Sequence, residues 1–279
     1  MTRDPETGGP DPRALRDTAA RIARQAGAVL LEGYGRVHAP ERKGRIDLVT
    51  VYDRRSERVV LGEIARLHPD HAVLAEESGA TGNSRVRWIV DPLDGTTNFS
   101  HNYPFFAVSI GVEVDGHPAA GVVFDPVRDE LFAAAAGHGA TRNGAPIRVS
   151  SVTRVEDALL VTGFPYDVRE NPERYLRPFR AFLLRAQGVR RDGSAALNLC
   201  YTAMGRFDGF WERGLAPWDA AAGVLMVTEA GGRVTRFDGG PVDLSGREFL
   251  ATNAALHPEM MQVLEPFVEP HAPVPPAGD

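Results

Sequence analysis

The stretch Trp88-Ile89-Val90-Asp91-Pro92-Leu93-Asp94-Gly95-Thr96-Thr97-Asn98-Phe99 constrains this chain more than any other. It opens as an apolar strand and is then broken by a proline, which cannot donate to a ladder, and by a glycine, which permits a sharp turn. The strand is therefore expected to end near Val90, with Asp91 and Asp94 projecting together from that end. A helix starting near Thr96 would add free backbone N–H groups that favour an anion. Hard divalent cations such as Mg²⁺ take oxygen ligands and share them with phosphate, so the segment offers partners to both. Taken alone, Asp-x-x-Asp-Gly is equally an ordinary turn with a capping aspartate.

The rest of the composition narrows the field. Of 279 residues, 43% are hydrophobic and 24% charged, enough apolar material for a sizeable core. The formal charge of -6 comes without a long basic run, which argues against a nucleic-acid partner. Cys200 is the single cysteine, which excludes an internal disulfide and a Cys-rich zinc site and suits a reducing cytoplasm. It sits in an apolar helical stretch and reads as a buried core thiol. Neither a signal-peptide core nor a run of membrane-spanning length is present, so a soluble chain with no membrane partner is expected. Residues 1–12 read as a disordered tail and the Pro-rich residues 266–279 as a second one. Residues 13–265 remain as the folded part, with an N-terminal half of about 13–150 and a C-terminal half of about 151–265.

Apolar residues at Leu15, Ala19, Ile22, Ala23, Ala26, Val29 and Leu30 have helical spacing, and Gly33 and Gly35 end that helix. A second helix is expected after Asp53. Strands are expected at 72–75, 107–114, 119–124 and 130–135, with Asp115-Gly116 and Asn143-Gly144 as hairpin turns. Further on, strands at 159–164, 189–191 and 207–211 alternate with helices at 173–186, 194–205 and 218–230. The class is mixed α/β.

Other acids stand at the ends of these elements. Glu76 and Glu77 follow an apolar strand, and neighbouring strand residues face opposite ways, so only one of them should enter a shared site. Asp219 lies in the first turn of a helix and Asp53 begins another, positions where a carboxylate also serves simply as a cap. Lys43 and Arg191 read as surface cations. Pro69 separates His68 from His71 and breaks the helix that would align them as metal ligands, and His101 reads as a loop residue.

Together these segments resemble the inositol monophosphatase family. The resemblance is carried by Asp47-Leu48-Val49-Thr50-Val51-Tyr52-Asp53, Glu76-Glu77-Ser78, Trp88 through Phe99, Gly193-Ser194-Ala195-Ala196 and Trp218-Asp219-Ala220-Ala221-Ala222-Gly223, in family order over about residues 15 to 262. It implies a layered α/β/α/β/α sandwich and a lithium-sensitive, Mg²⁺-dependent phosphomonoesterase using two to three ions. By similarity, Glu76, Asp91 and the Leu93 carbonyl would hold one ion, and Asp91, Asp94 and Asp219 another. Asp53 and Thr96 would polarise the attacking water, while backbone groups at Gly95 and Thr96 would hold the phosphate. Gly193, Ser194, Ala195 and Glu212 would meet the alcohol part of a small phosphorylated polyol. A homodimer is implied by the same resemblance.

Within the family, Glu212 favours a myo-inositol monophosphate. Histidinol phosphate, fructose bisphosphate and nucleotide phosphates remain alternatives, because the same ligands serve them all. A haloacid dehalogenase type phosphatase would need Asp-x-Asp, whereas two residues separate Asp91 from Asp94 here. A non-catalytic cation-binding module would concentrate its acids within a dozen residues, whereas these are spread from Glu76 to Asp219.

Overall fold

The structure, a computed structural model, describes residues 9–36, 41–42, 48–244 and 248–269. Lys43, Asp47 and the outer parts of both expected tails lie outside them. The first half runs α1 (Pro12–Gly33), β1 (Glu41–Arg42), β2 (Leu48–Val49), α2 (Val51–Leu67), β3 (Ala72–Ala75), β4 (Gly79–Thr81), β5 (Val86–Asp94), α3 (Thr96–Ser100), β6 (Ala107–Val114), β7 (His117–Asp125), β8 (Glu130–Ala135), β9 (Ala140–Arg142) and β10 (Ala145–Pro146). The second runs β11 (Leu159–Thr162), α4 (Pro172–Leu183), β12 (Gly188–Arg190), α5 (Ala195–Ala203), β13 (Gly209–Arg213), α6 (Pro217–Glu229), β14 (Arg233–Thr235), β15 (Glu248–Thr252) and α7 (His257–Leu264).

Eight strands form one sheet in the order β10-β9-β8-β7-β6-β5-β3-β4, and five form another in the order β12-β11-β13-β15-β14. The helices α1 and α2 cover the outer face of the large sheet through Leu15, Ile22, Leu30, Val60 and Ile64. Between the sheets lie α5 and α6, whose Leu197, Cys200, Leu225 and Met226 share a core with both. Outside the small sheet, α4 and α7 pack Phe182, Met260 and Leu264 against Trp211 and Leu250. The layers are thus α/β/α/β/α, as the resemblance implies.

Local chemistry explains the element ends. Asp11 accepts the Arg13 N–H at the start of α1, where Pro12 costs no hydrogen bond. Asp115 and Gly116, and likewise Asn143 and Gly144, have positive φ and close the two hairpins expected from their residue types. The middle helix α6 lies unusually close to the large sheet because Gly111 and Gly121 leave room for it. A Cβ on either would stand 2.7 Å from Ala221 or Ala222.

One expectation needs correction. The strand does not stop at Val90 but continues through Pro92 to Asp94. Its pairing with β6 slips on the way, since Asp91 opposes Ser109 and Asp94 opposes Ala107. Three steps along β5 thus match two along β6, which is a β-bulge of one surplus residue, and Pro92 falls inside it where no ladder N–H is needed. In a regular strand, residues three apart face opposite ways. The surplus residue brings both aspartates to the same side.

The C-terminal side also differs in detail. Residues 266 and 267, read as the start of a tail, complete a 3₁₀ turn, and Phe267 and Val268 pack against the outer core.

Candidate active site

The ends of β3, β5, β13 and the starts of α3, α5 and α6 meet around a cavity of about 580 Å³. Glu76, Asp91, Leu93, Asp94, Gly95, Thr96, Gly193, Ser194, Ala195, Glu212 and Asp219 all line it. Asp53 stands directly behind Thr96, and Glu77, as the strand alternation anticipates, does not line the cavity; its backbone N–H donates to the Glu57 carboxylate.

Four of the acids are held by backbone donors. Asp91, 2% exposed, accepts the Leu93 N–H at 2.9 Å. Asp94 Oδ2 accepts the Ser194 hydroxyl at 2.5 Å and the Ala196 N–H at 2.8 Å, so the first turn of α5 grips the end of β5. Asp219 accepts the Ala216 N–H at 2.7 Å at the start of α6. The capping reading of that residue is therefore correct, and it faces the cavity as well. Asp53 likewise has two tasks. Its Oδ2 accepts the Thr50 N–H and hydroxyl at 2.8 and 2.6 Å, forming a capping box at α2, which begins two residues before the position expected. Its Oδ1 lies 2.9 Å from the Thr96 hydroxyl, which is also 3.0 Å from the Leu93 carbonyl.

Electrostatics follow from this crowding. Burial, reinforced by the charges of Glu76, Asp94 and Asp219, pushes the Asp91 carboxyl well above its ordinary range. Burial raises Asp94 to about 6, against the opposing hydrogen bonds from Ser194 and Ala196. Asp53 is raised by burial in the same way. Glu212, 7% exposed, is raised well above the usual value by burial and next by the charge of Asp219. It packs so tightly on Gly163 that a Cβ there would lie 2.1 Å from its Oε1.

The donor set fits a hard cation. It consists of carboxylate and carbonyl oxygens, buried like charges need neutralising, and Asn198, also in the cavity wall, has a buried Oδ1 with no hydrogen-bond partner. Among the described residues no three acidic, histidine or cysteine side chains already converge as a closed metal shell. The fit rests on the kind and placement of the oxygens.

Gly95 could be no other residue. Its φ is +96°, and a Cβ would meet the Phe105 carbonyl at 3.0 Å. Asn98 then ties this turn to the opposite wall by donating to the carbonyls of Phe105 and Asp192 at 2.7 and 2.8 Å.

Arg191 is not simply a surface cation, since it lines the cavity, with its guanidinium 6.0 Å from the Phe164 ring centre. The sequence reading also missed Phe164, Arg174, Tyr175 and Arg213 of the same wall. They lie outside every motif, and a charged or aromatic residue on a loop or helix carries no signal that it faces a cavity. His68 and His71 stack at 4.6 Å, and His71 accepts the Trp88 indole N–H at 2.9 Å, a structural use. His101 follows α3 and is exposed, and Cys200 is buried.

Comparison with known proteins agrees with this geometry. Residues 11–269 match the model of the inositol monophosphatase family. An inositol-1-monophosphatase of Synechocystis is 47% identical over 251 residues, covering 89% of this chain and 88% of the relative. The Nus factor SuhB of Pseudomonas aeruginosa is 41% identical over 260 residues, covering 90% and 96%. Among solved structures, the inositol monophosphatase from Anabaena superposes with a TM-score of 0.84 at 46% identity, over 91% of this chain and 96% of that one.

Proposed function

Since this chain belongs to the inositol monophosphatase family and is a phosphatase, we propose that it hydrolyses a myo-inositol monophosphate to inositol and phosphate with the aid of Mg²⁺. The observation that carries the substrate is Glu212, a buried carboxyl at the alcohol end of the cavity beside Gly193, Ser194 and Ala195. A carboxylate there accepts hydrogen bonds from adjacent hydroxyls, which a polyol supplies.

In this reading Glu76, Asp91 and the Leu93 carbonyl would hold one ion, and Asp91, Asp94 and Asp219 a second. Bound Mg²⁺ supplies a lowered water pKa and neutralises charge on phosphate and leaving alkoxide. Thr96 turns its hydroxyl proton toward Asp53 or the Leu93 carbonyl, which leaves an oxygen lone pair to accept from the attacking water and orient it. Backbone N–H groups at Gly95 and Thr96 receive the phosphate. Water attacks phosphorus directly, the ester P–O bond breaks, and the alcohol leaves from the Glu212 side after taking a proton. No protein nucleophile is required.

The deciding experiment measures phosphate release with Mg²⁺ from myo-inositol 1-phosphate, histidinol phosphate, fructose 1,6-bisphosphate and 2′-AMP. The highest kcat/KM is expected for the inositol ester, and a clear preference for any other would overturn the assignment. Lithium inhibition, a cytoplasmic location and a homodimer accompany the reading as family inferences. Inhibition assays, fractionation and sedimentation test them in turn.

A further inference from the structure

Residues 265–269 form a strap behind the far end of the cavity. The 3₁₀ turn Glu265–Phe267 delivers Glu269 to two arginines at once. Arg174 of α4 donates from Nε to Oε1 of Glu269 at 2.8 Å and from Nη2 to Oε2 at 2.5 Å. Arg213, the last residue of β13, donates from Nη1 to the same Oε1 at 3.3 Å. It also donates to the Phe267 carbonyl, and from Nε to Glu248 at 2.8 Å. The strap is held further by Arg177, whose guanidinium stands 5.4 Å over the Phe267 ring. Both Arg174 and Arg213 line the cavity.

The connection to substrate runs through the chain itself. Arg213 directly follows Glu212, so whatever fixes Arg213 fixes the backbone beneath the alcohol-facing carboxyl. Just beyond, a Cβ on Gly214 would lie 2.6 Å from Pro165, so the end of β13 is also wedged against the loop that leads to α4. Glu269 joins these two parts of the wall by bidentate and shared charge-assisted bonds, which are directional as well as attractive.

We propose that Glu269 is a positioning residue, a latch that ties α4 to β13 and sets the shape of the alcohol end of the cavity before substrate arrives. The proposal rests on the reading of Glu212 as an alcohol contact. Holding the wall in its binding shape removes an ordering cost from each binding event. The latch thus acts on affinity for esters that reach the far wall, and leaves the phosphate end untouched.

Glu269→Ala in the full chain tests it. With myo-inositol 1-phosphate, KM should rise about three- to fivefold, the range for a half-exposed ion pair, and kcat should stay within roughly twofold. With ethyl phosphate, too short to reach the far wall, neither parameter should change. Glu269→Gln, which keeps one acceptor oxygen, should fall between. An unchanged KM for the inositol ester, or an equal rise for both esters, overturns the proposal. Amide hydrogen exchange supplies a readout independent of turnover: residues 172–177 and 212–215 should exchange faster in Glu269→Ala, and identical exchange overturns the latch. Should the wild-type chain release phosphate from neither ester, the activity reading falls, and the exchange result alone upholds or overturns the latch.

Discussion

The two walls of the cavity are built by different means. On the phosphate side, Asp91, Asp94, Asp53 and Thr96 are all buried, sit on or against β5, and each is fixed by a hydrogen bond of 3.0 Å or less. On the alcohol side, Arg174 and Arg191 are exposed at the surface and Phe164 lies on a loop, so most of that wall stands on the rim of the small sheet. The buried residues there, among them Tyr175, Ser194, Glu212 and Arg213, stand behind that rim. On the function proposed above, the contrast teaches a division of labour: the chemistry is set in the centre of the sandwich, and selectivity is assigned to parts that can be altered without dismantling it.

That division can be broken by experiment. The largest effect is expected for Asp94→Asn, which should lower kcat roughly 10³-fold while the thermal midpoint stays close to wild type; near-normal turnover would refute the ligand role. Thr96→Val, which keeps the shape and removes the hydroxyl, should lower kcat roughly 10²-fold with little change in KM. A rise in KM alone would move Thr96 from the chemistry to binding. On the other wall the split should reverse. Gly163→Ala places a methyl 2.1 Å from Glu212 Oε1, and KM should rise about tenfold with a smaller loss in kcat, as for one methylene misplaced in a binding pocket. Equal losses in both parameters would show that the walls are not separable.

The smallest expected effect compares the layers behind the walls. His71, against Trp88 of β5, and His257, between Thr235 and Thr252 of the small sheet, are both lowered to about 4, mainly by burial. Both are neutral in the folded chain, so the unfolded chain binds more protons between pH 4 and the ordinary histidine value of about 6.5. Stability contributed by these residues is therefore complete above pH 6.5 and is lost as pH falls toward 4. Thermal midpoints measured from pH 7 to 4.5 should decline, and each of His71→Gln and His257→Gln should flatten the decline. An unaltered slope in both variants would assign the acid sensitivity to other groups.

Most of the phosphate wall was legible in the sequence because its residues cluster in turn and cap positions with recognisable local chemistry. Asp53 and Asp219 could be read as caps, and both are caps. What stayed hidden was that the same carboxylates look into one cavity, a tertiary fact. The extent of β5 was misjudged for a similar reason: Pro92 forbids a regular ladder, and only the pairing with β6 shows that a bulge absorbs it. Arg191, Arg174 and Tyr175 gave no usable signal, since solvated arginines and aromatics on a helix look alike whether or not they border a pocket. The layer order was recoverable only through the family resemblance, because alternating elements permit several stackings.

The surplus residue in β5 makes the position of its two aspartates a matter of parity. Charge-preserving substitutions leave parity alone, and so does repacking of the neighbouring core. Loss of the bulge at unchanged length does not, since on a regular strand two residues three apart face opposite ways, which hands the second carboxylate to the other face of the sheet, where Ser194 and the first turn of α5 are out of reach. The site is thus protected against gradual change in residue type and exposed to a single slip of register, so that pairing this strand one position out of step between Asp91 and Asp94 is the most economical way to silence the molecule while keeping its architecture.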